Sequence, residues 1–192
     1  MSKEAVAATE RYVGSLHADD RTGHDVAHLE RVRRLAETLA EREAVDPLVV
    51  TLSALLHDVE DAKLGRPSGL VERHLETLDI SALQRRHVMT VVSETSFSKG
   101  CDPSSLESAI IQDADRLDAI GAIGIARTFQ FAGSRGTALY GDASALAHFD
   151  EKLLKLADRM HTPRAKQIAA KRHAFLVSFH DRFKAEWTGE DI

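Results

Sequence analysis

The chain has a single cysteine, Cys101, which excludes an internal disulfide framework and a cysteine-based zinc site. No apolar run approaches the roughly 18 residues that a membrane span requires, so we expect no membrane partner. The segment Met1 to Arg11 lacks the basic stretch and following apolar stretch of a secretory signal, which makes a cytoplasmic location the default expectation. The net charge is −5 and the Lys and Arg residues are spread along the chain, which argues against duplex nucleic acid as a partner, because that requires a basic face.

The remaining composition is that of an ordinary globular protein, with 43% hydrophobic and 29% charged residues in a chain of 192. This length suffices for a sizeable core and favours one domain over residues 1–192. The ten histidines are the unusual count. We expect most of them at the surface, so only those in a patterned context are candidates for chemistry.

Helical periodicity dominates the chain, and no segment alternates with the period of two that is typical of strands. Between Val26 and Glu43 the apolar residues fall on one face of a helix and the charged residues on the other. Asp46-Pro47 and Thr162-Pro163 each combine an N-cap residue with a first-turn proline, and both predict a helix start. We therefore predict an all-α bundle of six to eight helices, at about 26–43, 46–57, 70–78, 81–94, 102–125, 144–160 and 163–187.

The most informative stretch is an apolar run, Thr51 to Leu56, that leads directly into His57-Asp58-Val59-Glu60-Asp61. An imidazole and a carboxylate at the end of an apolar helix are costly to bury unless they are paired. A divalent metal ion binds imidazole nitrogen and carboxylate oxygen together, and would supply that pairing. The alternative is a helix C-terminus with a capping histidine and a solvated acidic turn.

Two further segments place polar groups on apolar helices. His24 and His28 are four residues apart, so they share one helical face. His28 lies beside the apolar stripe, where it is either a metal ligand or a hydrogen-bonded histidine at the edge of the core.

In the second segment, Arg116 could contact an anion, or it could form a surface ion-pair cluster with neighbouring aspartates. Those carboxylates interrupt an otherwise apolar helix at three positions, Asp113, Asp115 and Asp118.

In combination, these segments resemble the HD-domain superfamily of metal-dependent phosphohydrolases, and in particular its small stand-alone bacterial branch. The likeness rests on His-Leu-Glu-Arg-Val from His28, on Leu-Leu-His-Asp ending at Asp58, and on Ala-Asp-Arg-Leu around Asp115. It extends over most of the chain from His24 onward, through the ranges 113–131, 148–160 and 171–187. The resemblance implies an HD-type fold with a metal core at about 24–120, on which the C-terminal helices 144–187 pack.

The resemblance also implies four metal ligands, with Asp113 the less favoured alternative for the last of them: His28, His57, Asp58 and Asp115. Two imidazoles and two carboxylates would leave two positions of an octahedral ion for water or phosphate oxygens. The nitrogen donors favour Mn²⁺ over Mg²⁺, with other transition metals and Mg²⁺ as alternatives. A second metal site, if present, would be sought at His87.

An acidic residue shortly after the His-Asp pair is the usual catalytic candidate in the family, and Asp61 or Glu60 occupies that place. A continued turn would aim Asp61, four residues after His57, at the same pocket. Asp61 is favoured because Asp-Ala-Lys, which begins at this residue, matches the small bacterial branch better. Phosphate binding further requires cations or hydrogen-bond donors. Arg127 is expected to reach either a cavity or a buried carboxylate. The substrate-binding candidates are His24, Lys63, His87, Arg116 and Arg127.

By resemblance, the expected reaction is metal-dependent hydrolysis of a nucleoside triphosphate to the monophosphate and pyrophosphate. The partner would then be a small-molecule nucleotide or phosphate ester, and a homodimer is left open. The same ligands could serve a phosphomonoesterase or a cyclic-nucleotide phosphodiesterase. A regulatory module that binds metal and nucleotide without turnover is the alternative from another class, although degenerate HD domains of that kind typically lose ligands.

Overall fold

The computed structural model of the chain describes residues 2–18, 25–61, 64–95 and 101–191. These ranges contain helices and turns and no strand, so the predicted all-α class is confirmed for them. The described residues group into two compact units, one ending at Asp115 and the other starting at Arg116. A single domain over residues 1–192 stays a prediction. The described helices are α1 (Lys3–His17), α2 (Val26–Ala40), α3 (Pro47–Leu56), α4 (Leu70–Glu76), α5 (Ala82–Thr95), α6 (Leu106–Asp118), α7 (Gly121–Arg135), α8 (Ala147–Glu151) and α9 (Pro163–Thr188).

Helix α3 forms the centre of the first unit, because every residue from Leu48 to Leu56 is buried. Helices α1, α2 and α5 pack against it. Asp46 caps its N-terminus as predicted, since Asp46 Oδ1 accepts the N–H of Leu48 at 2.9 Å and Pro47 occupies the first turn. A helix without a polar face is stable only when neighbours cover it on all sides. The residues that follow Leu56 are therefore held at a fixed place at the end of a fully packed helix.

Helix α1 is not among the helices predicted from the sequence. Its buried residues include Ala5, Val6 and Val13, and the side chain of Ser2 caps it by accepting the N–H of Ala5 at 3.3 Å. The apolar spacing and the serine before Lys3 are the signals that could have identified it.

The single helix predicted over 102–125 is wrong, because the chain breaks between α6 and α7. Ile120 is extended, with φ −124° and ψ 164°, and Gly121 follows with φ +77°. A residue with a Cβ rarely adopts that positive φ, and a Cβ at Gly121 would also lie 3.1 Å from side-chain carbons of Arg172. Gly121 therefore marks a complete helix end, and α7 is a separate helix.

The single helix predicted over 144–160 is also wrong. Helix α8 has five residues, and two single-turn 3₁₀ helices follow at Leu153–Lys155 and Ala157–Arg159. Spacings of three and four residues bury apolar side chains in either kind of helix, so periodicity could not distinguish them. The residues that produce this pattern are all buried: Phe149, Leu153, Leu156 and Met160.

The second unit is built around α9, which contacts α7 and the two 3₁₀ helices. It begins at Thr162-Pro163 as predicted, with the Thr162 side chain accepting the N–H of Ala165. Aromatic rings fill the contact, with Phe129 about 6 Å between centroids from each of Phe149, Phe179 and Phe183. Across the described ranges, none of the helices combines the length and the apolar character needed to cross a membrane.

Candidate metal centre

The candidate site begins with His57, the residue immediately after α3. Its Nδ1 lies 2.8 Å from the carbonyl oxygen of Ala54 in the last turn of that helix. A carbonyl oxygen only accepts hydrogen bonds, so Nδ1 carries a proton, and Nε2 is the ring nitrogen that can offer a lone pair to a metal ion. Nε2 is buried and has no hydrogen-bond partner among the described residues. A buried acceptor nitrogen without a hydrogen bond requires a partner. A metal ion can be that partner, because imidazole nitrogen binds metal ions well.

His28 and Asp58 lie beside this lone pair. His28 is 1% exposed, and its Nε2 lies 3.2 Å from Asp58 Oδ2. The other carboxylate oxygen of Asp58 lies 3.5 Å from His57 Nε2. These three buried residues each offer one ligand atom, and the three atoms lie within 4.8 Å of one another. The two histidines and the aspartate therefore form a group that could hold a metal ion.

The start of α2 sets the position of His28. Asp25 is the N-cap, and its Oδ1 accepts the backbone N–H of His28 at 2.8 Å. Asp25 is not among the candidates predicted above, although an aspartate directly before a helix is a recognised signal. Its carboxylate orders the first turn of α2 and so fixes the residue that faces Asp58.

Asp115 on α6 adds a fourth oxygen at the same place. Its Oδ1 lies 3.6 Å from His28 Nε2 and 3.9 Å from His57 Nε2. The Asp115 side chain is 31% exposed, in contrast to 1% for each histidine side chain. The more open side of the group is therefore the side of Asp115.

The separations among these donors lie within the range expected for the ligands of a divalent ion. Ligands at about 2.1 Å from an octahedral ion are about 3.0 Å apart when adjacent and about 4.2 Å apart when opposite. The four measured separations lie between 3.2 and 3.9 Å. Two neutral imidazoles and two carboxylates also balance the charge of a divalent ion. The residues present thus fit a bound divalent metal in distance, chemistry and charge.

Comparison with known proteins identifies the family. The HD domain family matches residues 26–120, a range that includes all four donors. Protein YpgQ of Bacillus subtilis is 40% identical over 189 residues, which cover 94% of this chain and 92% of that protein. This chain belongs to the HD-domain family.

Solved structures of similar proteins support the assignment of this chain to the HD-domain family. The crystal structure of Bacillus subtilis YpgQ in complex with ADP is similar, with a TM-score of 0.82, 37% identity, and coverage of 94% of this chain and 97% of that one. A Bacillus thuringiensis protein described as an HD-superfamily hydrolase has a TM-score of 0.81 and 36% identity, covering 98% of this chain and 99% of that one. These relatives support a metal-dependent hydrolase.

After α3, residues 56–61 form two successive hydrogen-bonded turns. Val59 N donates to Leu56 O at 3.1 Å, and Asp61 N donates to Asp58 O at 3.2 Å. Glu60 is directed elsewhere, because its Oε1 accepts the N–H of Val71 at 2.9 Å. Val71 is in the first turn of α4, where the N-cap Gly69 has no side chain to cap the helix. Of the two acidic candidates, Glu60 therefore caps α4, while Asp61 is half-buried at the end of the turn.

His87, one of the predicted substrate residues, contacts the start of α6. His87 Nε2 lies 3.2 Å from Ser105 Oγ and 3.6 Å from Glu107 Oε2, and so links α5 to the start of α6. His87 is not part of the group formed by the two buried histidines and Asp58. Substrate binding or a second metal at His87 stays a prediction. His24 and Lys63 lie outside the described residues.

The two predicted arginines belong to the second unit. Arg127 Nη1 lies 2.6 Å from Asp118 Oδ2, and the Asp118 side chain is only 2% exposed. Of the two expectations for Arg127, the structure thus shows the buried carboxylate. Arg116 Nη1 donates to the carbonyl of Arg159 at 2.8 Å and lies 2.7 Å from His161 Nε2. A substrate contact for either arginine stays a prediction.

Proposed function

We propose that the chain is a metal-dependent phosphohydrolase that converts a nucleoside triphosphate into the monophosphate and pyrophosphate. The observation that carries the proposal is the buried Nε2 lone pair of His57, which lacks a hydrogen-bond partner among the described residues and has three further donors close by. A merely structural histidine in a core has no reason to keep such an acceptor unsatisfied.

In this proposal the metal ligands are His28, His57, Asp58 and Asp115. When bound, the ion supplies Lewis-acid chemistry, which polarises a phosphoryl oxygen and lowers the pKa of a water molecule. We favour Mn²⁺, because two of the four donors are imidazole nitrogens. The two carboxylates balance the charge of a divalent ion, so an anionic phosphate meets a site without net negative charge from its ligands.

Asp61 is the residue we assign to proton transfer. Its carboxylate would orient the attacking water and accept its proton, as a general base does. Glu60 is the less favoured candidate, because one of its carboxylate oxygens already accepts the N–H of Val71. Asp61 is favoured because it lies four residues after His57, in the turn that follows the His-Asp pair.

A nucleotide is the proposed substrate class. YpgQ, which is 37% identical and was solved with ADP, supports a site that accepts a nucleoside with phosphates. In the proposed reaction, water adds to the α-phosphorus and the bond from that phosphorus to the bridging oxygen breaks. Pyrophosphate leaves with that oxygen, and the proton from water goes to the Asp61 carboxylate.

The test is a product analysis with purified metal-free protein to which Mn²⁺ is added. A panel of nucleoside triphosphates is supplied, and phosphate and pyrophosphate are quantified separately. Pyrophosphate with the monophosphate is the expected product pair, and Asp58→Asn should lose both metal and turnover. Asp79→Asn is the matched control, because Asp79 is an exposed aspartate in the same unit.

Other outcomes discriminate among the alternatives. Release of phosphate alone would overturn pyrophosphate formation and indicate a phosphomonoesterase. Hydrolysis confined to cyclic nucleotides would indicate a phosphodiesterase. Tight Mn²⁺ binding without turnover of any phosphate ester would contradict an enzyme and favour a regulatory module. If Asp58→Asn retained metal and full turnover, the proposed site would be wrong.

A further inference from the structure

Arg66 connects the segment after the His-Asp pair to α1, a helix that is distant in sequence. Its Nη2 donates to the carbonyl of Leu16 at 2.7 Å, and its Nη1 donates to the carbonyl of Val59 at 3.3 Å. Nη1 also lies 2.8 Å from Nε2 of His17, the last residue of α1. One guanidinium group thus bridges the C-terminal end of α1 and the turn that begins at His57.

The chemistry of this bridge is specific to arginine. A guanidinium group only donates hydrogen bonds, so His17 Nε2 must accept one. The carbonyl of Leu16 belongs to the last turn of α1, where carbonyl groups lack partners within the helix. The fixed planar fork of arginine can serve three acceptors on two segments at once, which the single ammonium of lysine does less well.

The bridge ends two residues before the proposed catalytic carboxylate. Val59 and Glu60 are the two residues between Asp58 and Asp61, and both are held. The Val59 side chain is fully buried, and its carbonyl accepts from Arg66. The Glu60 carboxylate accepts from Val71 at the start of α4. The backbone that leads to Asp61 is therefore anchored on one side to α1 and on the other to α4.

We infer that Arg66 is a positioning residue for Asp61, an inference that rests on the proposed function. Arg66 acts through the Val59 carbonyl, and none of its described contacts is with a proposed metal ligand. The ligands His57 and Asp58 are held separately, since they directly follow the buried helix α3. Loss of the bridge should therefore displace Asp61 and leave the metal group in place. A displacement of about 1 Å at a reacting group can lower a rate by about 100-fold.

The first experiment compares Arg66→Met and Arg66→Lys with the wild type. Urea titration first identifies conditions in which each protein is folded. For Arg66→Met we expect unchanged Mn²⁺ affinity, a KM within about twofold, and a kcat lower by about 10-fold to 100-fold. Arg66→Lys should recover part of kcat. Arg86→Met is the matched control, because Arg86 is an exposed arginine of the same unit.

A double-substitution cycle tests whether Arg66 acts through Asp61. If it does, adding Arg66→Met to Asp61→Asn should change kcat by less than about twofold, because the group that it positions is already inactive. Equal losses of kcat in both backgrounds would overturn the inference. A fall in Mn²⁺ affinity parallel to kcat would also overturn it, because Arg66 would then support the metal group.

Amide hydrogen exchange provides a readout that does not depend on activity. The Asp61 N–H donates to Asp58 O, so release of the turn by Arg66→Met should accelerate its exchange by at least about tenfold. The amide of Leu55 in α3 should not change. Unchanged exchange at Asp61 would contradict the bridge. A wild-type chain that hydrolyses no phosphate ester would refute the proposed function and the catalytic part of the inference, whereas the exchange data would still decide whether Arg66 anchors the turn.

Discussion

Nδ1 of His57 lies 2.8 Å from the carbonyl oxygen of Ala54, three residues earlier in the same chain segment. This contact is local to the end of α3, so the orientation of the imidazole is set by its own chain segment. It also leaves Nε2 as a buried acceptor without a hydrogen bond among the described residues. An unsatisfied buried acceptor costs about 1 to 3 kcal/mol, a penalty that binding of an ion removes.

The first prediction concerns metal-dependent stability. At a free Mn²⁺ concentration 100 times Kd, binding should stabilise the wild type by about 2.7 kcal/mol. His57→Ala removes the proposed nitrogen ligand and should abolish this increment, because the remaining donors hold the ion far less tightly. The measurement is the free energy of unfolding by urea, with and without Mn²⁺, and with a chelator as reference.

His180→Ala is the control for that experiment. His180 contacts Asp150 and Asp181 rather than the group around His57, so this variant should keep the full Mn²⁺-dependent increment whatever its own stability. If His57→Ala kept the increment, or if His180→Ala lost it, the metal would bind elsewhere.

The second prediction concerns the ion pair of the second unit. Arg127→Met removes the guanidinium that lies 2.6 Å from the Asp118 carboxylate, whose side chain is 2% exposed, and should lower the free energy of unfolding by about 1 to 3 kcal/mol. Replacing both residues, as Arg127→Met with Asp118→Asn, should recover much of that loss, because the buried charge is then removed. Urea titration of the wild type and of these two variants provides the measurement.

The exposed pair Arg182–Glu186 supplies the comparison. Both side chains are at least 60% exposed, so Arg182→Met should change stability by no more than about 0.5 kcal/mol. A stable Arg127→Met variant with a strongly raised KM would show that the predicted substrate contact, and not the ion pair, is the main role of Arg127.

The parts of the molecule that depend on local chemistry could be predicted from the sequence. The fully apolar run before His57 indicated a buried helix, and Asp46-Pro47 indicated where that helix, α3, begins. In the same way, Thr162-Pro163 indicated the start of α9. These signals work because a cap and a first-turn proline act within one turn of the residues concerned. The break at Ile120 was missed, since apolar side chains continue on both sides of it.

The choice among the aspartates of α6 required more than periodicity. Residues two apart in a helix are rotated by about 200°, so Asp113 and Asp115 face nearly opposite directions. Asp115 lies near the two histidines, whereas Asp118 pairs with Arg127. Which face of α6 meets the histidines depends on how the helix is rotated in its packing, and only the family resemblance indicated Asp115 beforehand.

The third prediction is a pH effect on stability. His74 is buried against Tyr12, with ring centroids 4.1 Å apart, and burial lowers the pKa of its imidazole below the ordinary 6.5. The unfolded chain therefore binds a proton at a higher pH than the folded chain does. The stability that His74 contributes should be complete above about pH 6.5 and should fall as the pH drops below it, by at most about 1.4 kcal/mol per pH unit.

His74→Gln isolates this effect. The Thr9 hydroxyl donates to Ala5 O, so His74 Nε2 donates to Thr9 Oγ1 at 2.9 Å, and the amide of glutamine can replace that donor. Urea titrations of both proteins in chelator, from pH 7.5 to 5.5, should show a steeper decline for the wild type. Parallel declines would mean that His74 titrates alike in the folded and unfolded chains.

The fourth prediction contrasts two glycines of α7. A Cβ at Gly124 would overlap the carbonyl oxygen of Ala119, whereas a Cβ at Gly133 would meet no atom within 4 Å. Because the obstacle is backbone, Gly124→Ala should destabilise the protein by about 1 to 3 kcal/mol. Gly133→Ala, at an exposed helical position, should stabilise it by about 0.5 to 1 kcal/mol through helix propensity. Urea titration of the two variants measures both changes, and a neutral Gly124→Ala would mean that α7 does not begin in close contact with Ala119.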